Sequence, residues 1–82
     1  MDLSYTLSSM NNLALTLSEQ GRVEEAADLQ VQFVDAAKEG LGLYHPKTAM
    51  GMYNLACTWY EQGRIKDALI LMQDCARLQQ QR

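Results

Sequence analysis

Two stretches decide the fold. One is Met10-Asn11-Asn12-Leu13-Ala14-Leu15-Thr16-Leu17-Ser18-Glu19-Gln20-Gly21-Arg22. The other is Met52-Tyr53-Asn54-Leu55-Ala56-Cys57-Thr58-Trp59-Tyr60-Glu61-Gln62-Gly63-Arg64, the same pattern displaced by 42 residues. Between residues 10 and 29 and their counterparts, eleven of twenty positions are identical. Val23/Ile65 and Glu25/Asp67 are conservative pairs besides. A period of this length marks a duplicated structural unit.

Each copy reads as two helices. Leu7, Met10, Leu13, Ala14 and Leu17 recur at three- and four-residue steps, one face of an α-helix. Gly21 stops that helix, at the position where a left-handed residue closes a C-terminus. The second helix begins near Val23. Glu24 and Glu25 fall in its first turn, where carboxylates suit the positive end of the helix dipole. Ala26, Leu29, Phe33, Val34 and Ala37 continue its apolar face, and Gly40, Gly42 and His45-Pro46 end it. Pro46 lacks an N–H and carries a preset φ, so it belongs at the start of the third helix. That helix runs through Met52, Leu55, Ala56 and Trp59 to Gly63. The fourth uses Ile65, Ala68, Leu69, Met72, Cys75 and Ala76. No segment alternates with period two, so the expected class is all-α. The tight links at Gly21 and Gly63 imply antiparallel hairpins. Ala14, Ala56, Ala26 and Ala68 are small residues placed where two helix backbones can approach closely.

Outward from the repeat, the whole chain sets limits. Its 82 residues suffice for one domain, which excludes a two-domain enzyme. A 48% hydrophobic and 21% charged composition is too apolar for disorder. Net charge is −3, which argues against a phosphate backbone as partner. The charge is uneven. Residues 1–41 carry Arg22 and Lys38 against seven acids, or −5, and residues 42–82 carry five basic groups against three acids, or +2. There is no basic amphipathic stripe for a membrane surface, and no apolar run long enough to span one. Met1-Asp2-Leu3-Ser4-Tyr5 has no secretory pattern. Cys57 and Cys75 fit no disulfide framework and read as reduced thiols, so the expected compartment is cytoplasmic.

The combination of Asn-Leu-Ala, Gln-Gly-Arg and an early alanine in the second helix resembles tetratricopeptide (TPR) repeats, whose usual unit is about 34 residues. The 42-residue spacing, with Leu41-Gly42 and His45-Pro46-Lys47-Thr48 between units, resembles the kinesin light chain subclass. Ser9-Met10-Asn11-Asn12-Leu13-Ala14 and Glu19-Gln20-Gly21-Arg22 also resemble the TPR arrays at the C-terminal end of fungal NLR-like (STAND) ATPases. The resemblance implies an α-α superhelix of two helix–turn–helix repeats and four antiparallel helices. Repeat one is expected over about 4–42 and repeat two over about 45–82, in a single domain spanning 1–82. It implies longer relatives with more repeats; no ATPase is present in this sequence, so that activity does not carry over. Leu3-Ser4 stand where the second unit has His45-Pro46. The Ala68-Leu69-Ile70-Leu71-Met72 run is apolar nearly all round, the pattern of a helix awaiting cover, and Gln79-Gln80-Gln81-Arg82 follow it without a polar capping helix.

No catalytic constellation is present, and no cofactor or metal is expected. His45 is the sole histidine, next to the connector proline, and is expected to cap or pack. The serines at 4, 8, 9 and 18 have no partner base. Gly40-Leu41-Gly42 lacks the strand and lysine of a phosphate loop.

The resemblance implies that the first helix of each unit lines a concave partner-binding groove. The Leu13/Leu55 stripe is expected to face the second helix. Residues beside it then face the groove: Ser8, Asn11, Asn12, Leu15 and Ser18 in one copy, and Met50, Tyr53, Asn54, Cys57 and Tyr60 in the other. Asn12 and Asn54 can donate and accept at once, and so read an extended peptide backbone; the competing role is to tie the solenoid's own backbone. None of these ten positions is Lys or Arg, which argues against an acidic ligand. Tyr53 and Tyr60 give an aromatic, half-polar surface, so the expected partner is a neutral or apolar-aromatic protein segment. Trp59 takes the place of Leu17 and is expected in the core. The expected function is a non-catalytic protein–protein interaction module. The alternative is a structural fragment that completes its core by self-association.

Overall fold

The computed structural model describes residues 3–80. Met1, Asp2, Gln81 and Arg82, part of the chain ends read above, lie outside the described residues. Four helices follow one another: α1 (Leu3–Glu19), α2 (Val23–Gly40), α3 (Pro46–Glu61) and α4 (Ile65–Gln80). There is no strand among the described residues. Packing is sequential, α1 on α2, α2 on α3 and α3 on α4, in a slab of 36 × 34 × 14 Å.

The two hairpin turns are built alike. Gly21 has φ +79° and Gly63 has φ +85°. At the first turn, the Gly21 N–H donates to Ser18 O at 3.0 Å and the Arg22 N–H to Leu17 O at 2.9 Å. At the second, Gly63 donates to Tyr60 O at 3.0 Å and Arg64 to Trp59 O at 2.9 Å. This paired pattern satisfies the last carbonyls of α1 and α3 and needs a left-handed residue. Each following helix opens with an ion pair, Arg22–Glu25 at 2.6 Å and Arg64–Asp67 at 3.1 Å. Both pairs are about half exposed and contribute little net stability. They do explain why position 67 tolerates Asp for Glu: either carboxylate reaches the arginine three residues back.

The connector between units is different. Gly42 has φ +96°, and its carbonyl accepts from the Thr48 hydroxyl at 2.8 Å. His45 is the N-cap of α3: its backbone is extended and its Nδ1 accepts from the Lys47 N–H at 3.0 Å. Pro46 occupies the first turn, where its missing N–H leaves no helix bond unmade. The capping role expected for His45 is thus the one it holds.

The core contains Leu7, Ala27, Phe33, Val34, Ala37, Ala49, Met52, Leu55 and Cys75. Trp59 packs partly buried against it, with the Arg64 guanidinium 4.6 Å from its ring centroid. Comparing the two copies separates two kinds of contact. Ala14 and Ala56 are both buried, as are Ala26 and Ala68. Equal burial in both copies marks contacts made inside each hairpin. Leu13 and Leu55 are unequal: Leu55 is 3% exposed and Leu13 is 53% exposed. Each has its own hairpin partner, so what covers Leu55 is the element only α3 has in front of it, namely α2. The expectation that the Leu13/Leu55 stripe faces a second helix thus holds for Leu55, which is buried in the core, and not for Leu13, which is more than half exposed. The α2–α3 junction also holds Gly51, where an added Cβ would lie 2.5 Å from two ring carbons of Phe33.

Candidate partner-binding groove

The face between α1 and α3 carries a cleft of about 210 Å³. Ser8, Asn11 and Asn12 of α1 form one wall, and Lys47 and Met50 of α3 form the other. Leu7 and Phe33 line it as well. The α1 residues lie at three- and four-residue spacing, so a single helical stripe presents hydroxyl, amide and amide in sequence. Asn12 is exposed, and its carbonyl is already taken by the Thr16 hydroxyl at 3.0 Å. Thr58 makes the equivalent bond to Asn54 O at 3.1 Å. These threonine bonds use the asparagine backbones only.

The expected groove residues do not form one cluster. Asn11 and Asn12, with Ser8 and Met50, line the cleft just described. Tyr53 lies in a second, more apolar cleft of about 450 Å³, formed with Pro46, Ala49, Met50, Met72, Cys75 and Ala76 between α3 and α4. Leu15 and Tyr60 are exposed along α1 and α3, and Asn54, Cys57 and Ser18 are partly buried, none of them in either cleft.

Lys47 is the wall residue that sequence reasoning missed. The sequence pattern places it in the connector, whereas it stands in the first turn of α3, directly behind the cap. It stands three residues before Met50, so helical spacing puts both on one side of α3, and that is the signal the sequence holds. It gives the cleft a positive charge that the ten-position stripe lacked. A further depression of about 310 Å³ is lined by Glu24, Asp28, Val31, Trp59, Gln62 and Arg64. Trp59 is therefore not in the α1–α3 cleft.

Among the described residues, no group of three or more His, Cys, Asp or Glu side chains is placed to hold a metal ion. No described helix is long and apolar enough to cross a membrane. The Cys75 thiol donates to Ala49 O at 3.4 Å, and burial pushes its pKa up from the ordinary thiol value.

Paired helical hairpins with left-handed glycine turns, repeated at 42 residues, are matched over residues 5–81 by the family model of the tetratricopeptide repeat. The chain belongs to the tetratricopeptide repeat family. TPR units generally mediate protein–protein interaction and are typically non-catalytic modules. No curated protein matches this TPR chain.

Proposed function

We propose that this TPR chain is a non-catalytic interaction module that holds a partner segment in extended conformation along α1 and α3. The observation that carries the reading is the α1–α3 cleft, where two asparagine amides and a serine hydroxyl face a methionine and a lysine. Amides pair with the alternating N–H and C=O groups of a peptide, while Met50 offers an adaptable apolar contact. A segment of neutral or apolar-aromatic side chains fits, with Lys47 taking one carbonyl or carboxylate oxygen. Tyr53 and Tyr60 extend the surface along α3, and Leu15 extends it along α1.

The two hairpins act as one unit over residues 1–82 in this reading. The 42-residue spacing and the His45-Pro46 opening of α3 support a kinesin-light-chain-like subclass, and the Asn-Asn-Leu-Ala and Glu-Gln-Gly-Arg phrases support kinship with the arrays of fungal NLR-like proteins. Two free thiols, Cys57 and Cys75, suit a reducing, cytoplasmic setting.

Selection of a displayed random-peptide library against the chain, followed by affinity measurement on the Asn11→Ala/Asn12→Ala variant, tests the groove. The selected peptides are expected to lose at least about tenfold in affinity, the scale of one or two buried hydrogen bonds. Peptides that bind the variant as tightly as the parent would place the site elsewhere.

A further inference from the structure

The depression beside Trp59 lies at the other end of α3 from the α1–α3 cleft. Lys47 and Trp59 are twelve residues apart on that helix, which separates the two places by roughly 18 Å along its axis. They share no lining residue. Glu24, Asp28 and Val31 of α2 form one side of the depression. Trp59 of α3, with Gln62 and Arg64 of the turn that follows, forms the other. It therefore sits on the internal junction between the two repeats, away from both ends of the chain.

The charges in it do not balance. Arg64 is the one cation of the lining, and its guanidinium is engaged twice: it pairs with Asp67 at 3.1 Å and lies over the Trp59 ring, 4.6 Å from the centroid. Glu24 and Asp28 stand one turn apart on one side of α2. Both are exposed, and among the described residues neither makes an ion pair or a hydrogen bond. Gln62 adds a third acceptor, since its Oε1 is buried without a hydrogen-bond partner. An acceptor left in that state is costly, and a donor brought in from outside is what it lacks.

Two carboxylates are too few ligands for a metal ion, and among the described residues no third His, Cys, Asp or Glu joins them. A cation on a long apolar stem fits better. Val31 and the partly buried Trp59 ring give the stem apolar surface, while Glu24 and Asp28 take the charge. The volume, about 310 Å³, suits one such side chain rather than a cofactor. Of the two basic side chains, arginine has the planar fork that can bond two carboxylates at once, whereas a lysine ammonium is a point charge. In the second repeat the places of Glu24 and Asp28 are taken by Lys66 and Ile70, so the acidic pair belongs to this junction and not to the repeat pattern.

We propose that this depression is a second interaction site, which holds an arginine side chain of a basic partner protein, its guanidinium against Glu24 and Asp28 and its stem along Val31 and Trp59. The site stands apart from the α1–α3 cleft and does not rest on the reading of that cleft. Because both carboxylates are exposed, the association weakens as salt rises.

Trp59 is the only tryptophan of the chain, so its fluorescence reports on the site directly. The probe is the peptide acetyl-Ala-Ala-Arg-Ala-Ala-amide, titrated into the 82-residue chain up to millimolar concentration, with the citrulline version of the same peptide as its uncharged match. The arginine peptide is expected to give a saturable change in Trp59 emission, and the citrulline peptide to bind at least about fivefold more weakly, the scale of two partly exposed charge pairs. Glu24→Gln/Asp28→Asn is expected to weaken the arginine peptide by a similar factor. Asp35→Asn/Glu39→Gln brings the net charge from −3 to −1 just as that variant does, at exposed positions of α2 outside the depression. It is expected to change the affinity by less than about twofold, because distant charges are screened. Should the loss of Glu24 from the first turn of α2 lower the helix content by circular dichroism, Asp28→Asn against Asp35→Asn carries the same comparison. Asn11→Ala/Asn12→Ala is expected to bind the peptide as the parent does, which separates this outcome from that of the α1–α3 cleft. No saturable change, equal binding of the citrulline peptide, equal losses in the two charge variants, or a loss in the asparagine variant would each overturn the proposal.

Discussion

Gly51 of α3 faces the Phe33 ring of α2 so closely that a methyl group at position 51 would stand 2.5 Å from two of its ring carbons. Phe33 is itself 3% exposed and packed in the core. Gly51→Ala therefore sets two effects against each other. Alanine gains about 1 kcal/mol of helix propensity. Overpacking costs about 1–3 kcal/mol. The clash falls on a buried ring rather than on a flexible side-chain end, so the cost wins and urea denaturation is expected to show a net loss. Phe33→Leu removes the ring carbons in question. In that background Gly51→Ala is expected to be neutral or stabilising. A double-mutant cycle measures the coupling; additive effects would mean that the ring does not limit the approach of α2 and α3.

The hairpin turns call for a different cost. Nothing lies within 4 Å of a Cβ built on Gly21 or Gly63, so an alanine there meets no steric neighbour. Its penalty is purely the left-handed backbone, about 1–2 kcal/mol. Gly21→Ala and Gly63→Ala are each expected to lower stability by that amount, and by the same amount as each other. A marked inequality in denaturant midpoint would show that one turn carries a contact beyond its backbone.

These two sites show what could be read in the sequence. The turns at Gly21 and Gly63, the opening of α3 at Pro46 and the cap at His45 are local: each depends on a residue and its neighbours a few positions away. The Phe33–Gly51 contact joins residues 18 apart on different helices, and neither residue alone announces it. The exposure of Leu13 departs from the expected stripe for a related reason. Two identical residues at equivalent positions imply identical surroundings, yet the first unit has no described helix in front of it. For the cleft, helical spacing puts Ser8, Asn11 and Asn12 on one side of α1, while that this side faces a groove is what the family resemblance implies. The place of Lys47 on a wall depends on how α3 sits against α1, which a one-dimensional stripe does not contain.

Leu13 and Leu55 give the sharpest comparison of one substitution in two environments. Leu55→Ala empties a packed site and is expected to cost about 2–5 kcal/mol. Leu13→Ala removes a side chain that is more than half exposed, and is expected to cost under about 1 kcal/mol in the monomer. Chemical denaturation of the two variants separates the two. Equal losses would mean that α1 is covered on the face that bears Leu13.

The two cysteines differ in the same spirit. Cys75 is 7% exposed, donates its S–H to Ala49 O, and is held protonated by burial to higher pH than an ordinary thiol. Cys57 is only partly buried. Alkylation proceeds through the thiolate, so pKa and access act in the same direction at Cys75. Iodoacetamide at mildly alkaline pH is expected to modify Cys57 more than about tenfold faster, read by mass spectrometry of the digested chain. The same shift has a stability consequence. The folded thiol keeps its proton where the unfolded thiol loses it, so the unfolded state binds fewer protons as pH rises. The Cys75 contribution is then constant below the ordinary thiol pKa and declines as pH climbs past it. Cys75→Ala shifts the whole profile by its lost packing and also removes that alkaline decline. Denaturation profiles of parent and variant that run parallel through this range would show that Cys75 titrates alike in both states, and that its burial does not hold the proton.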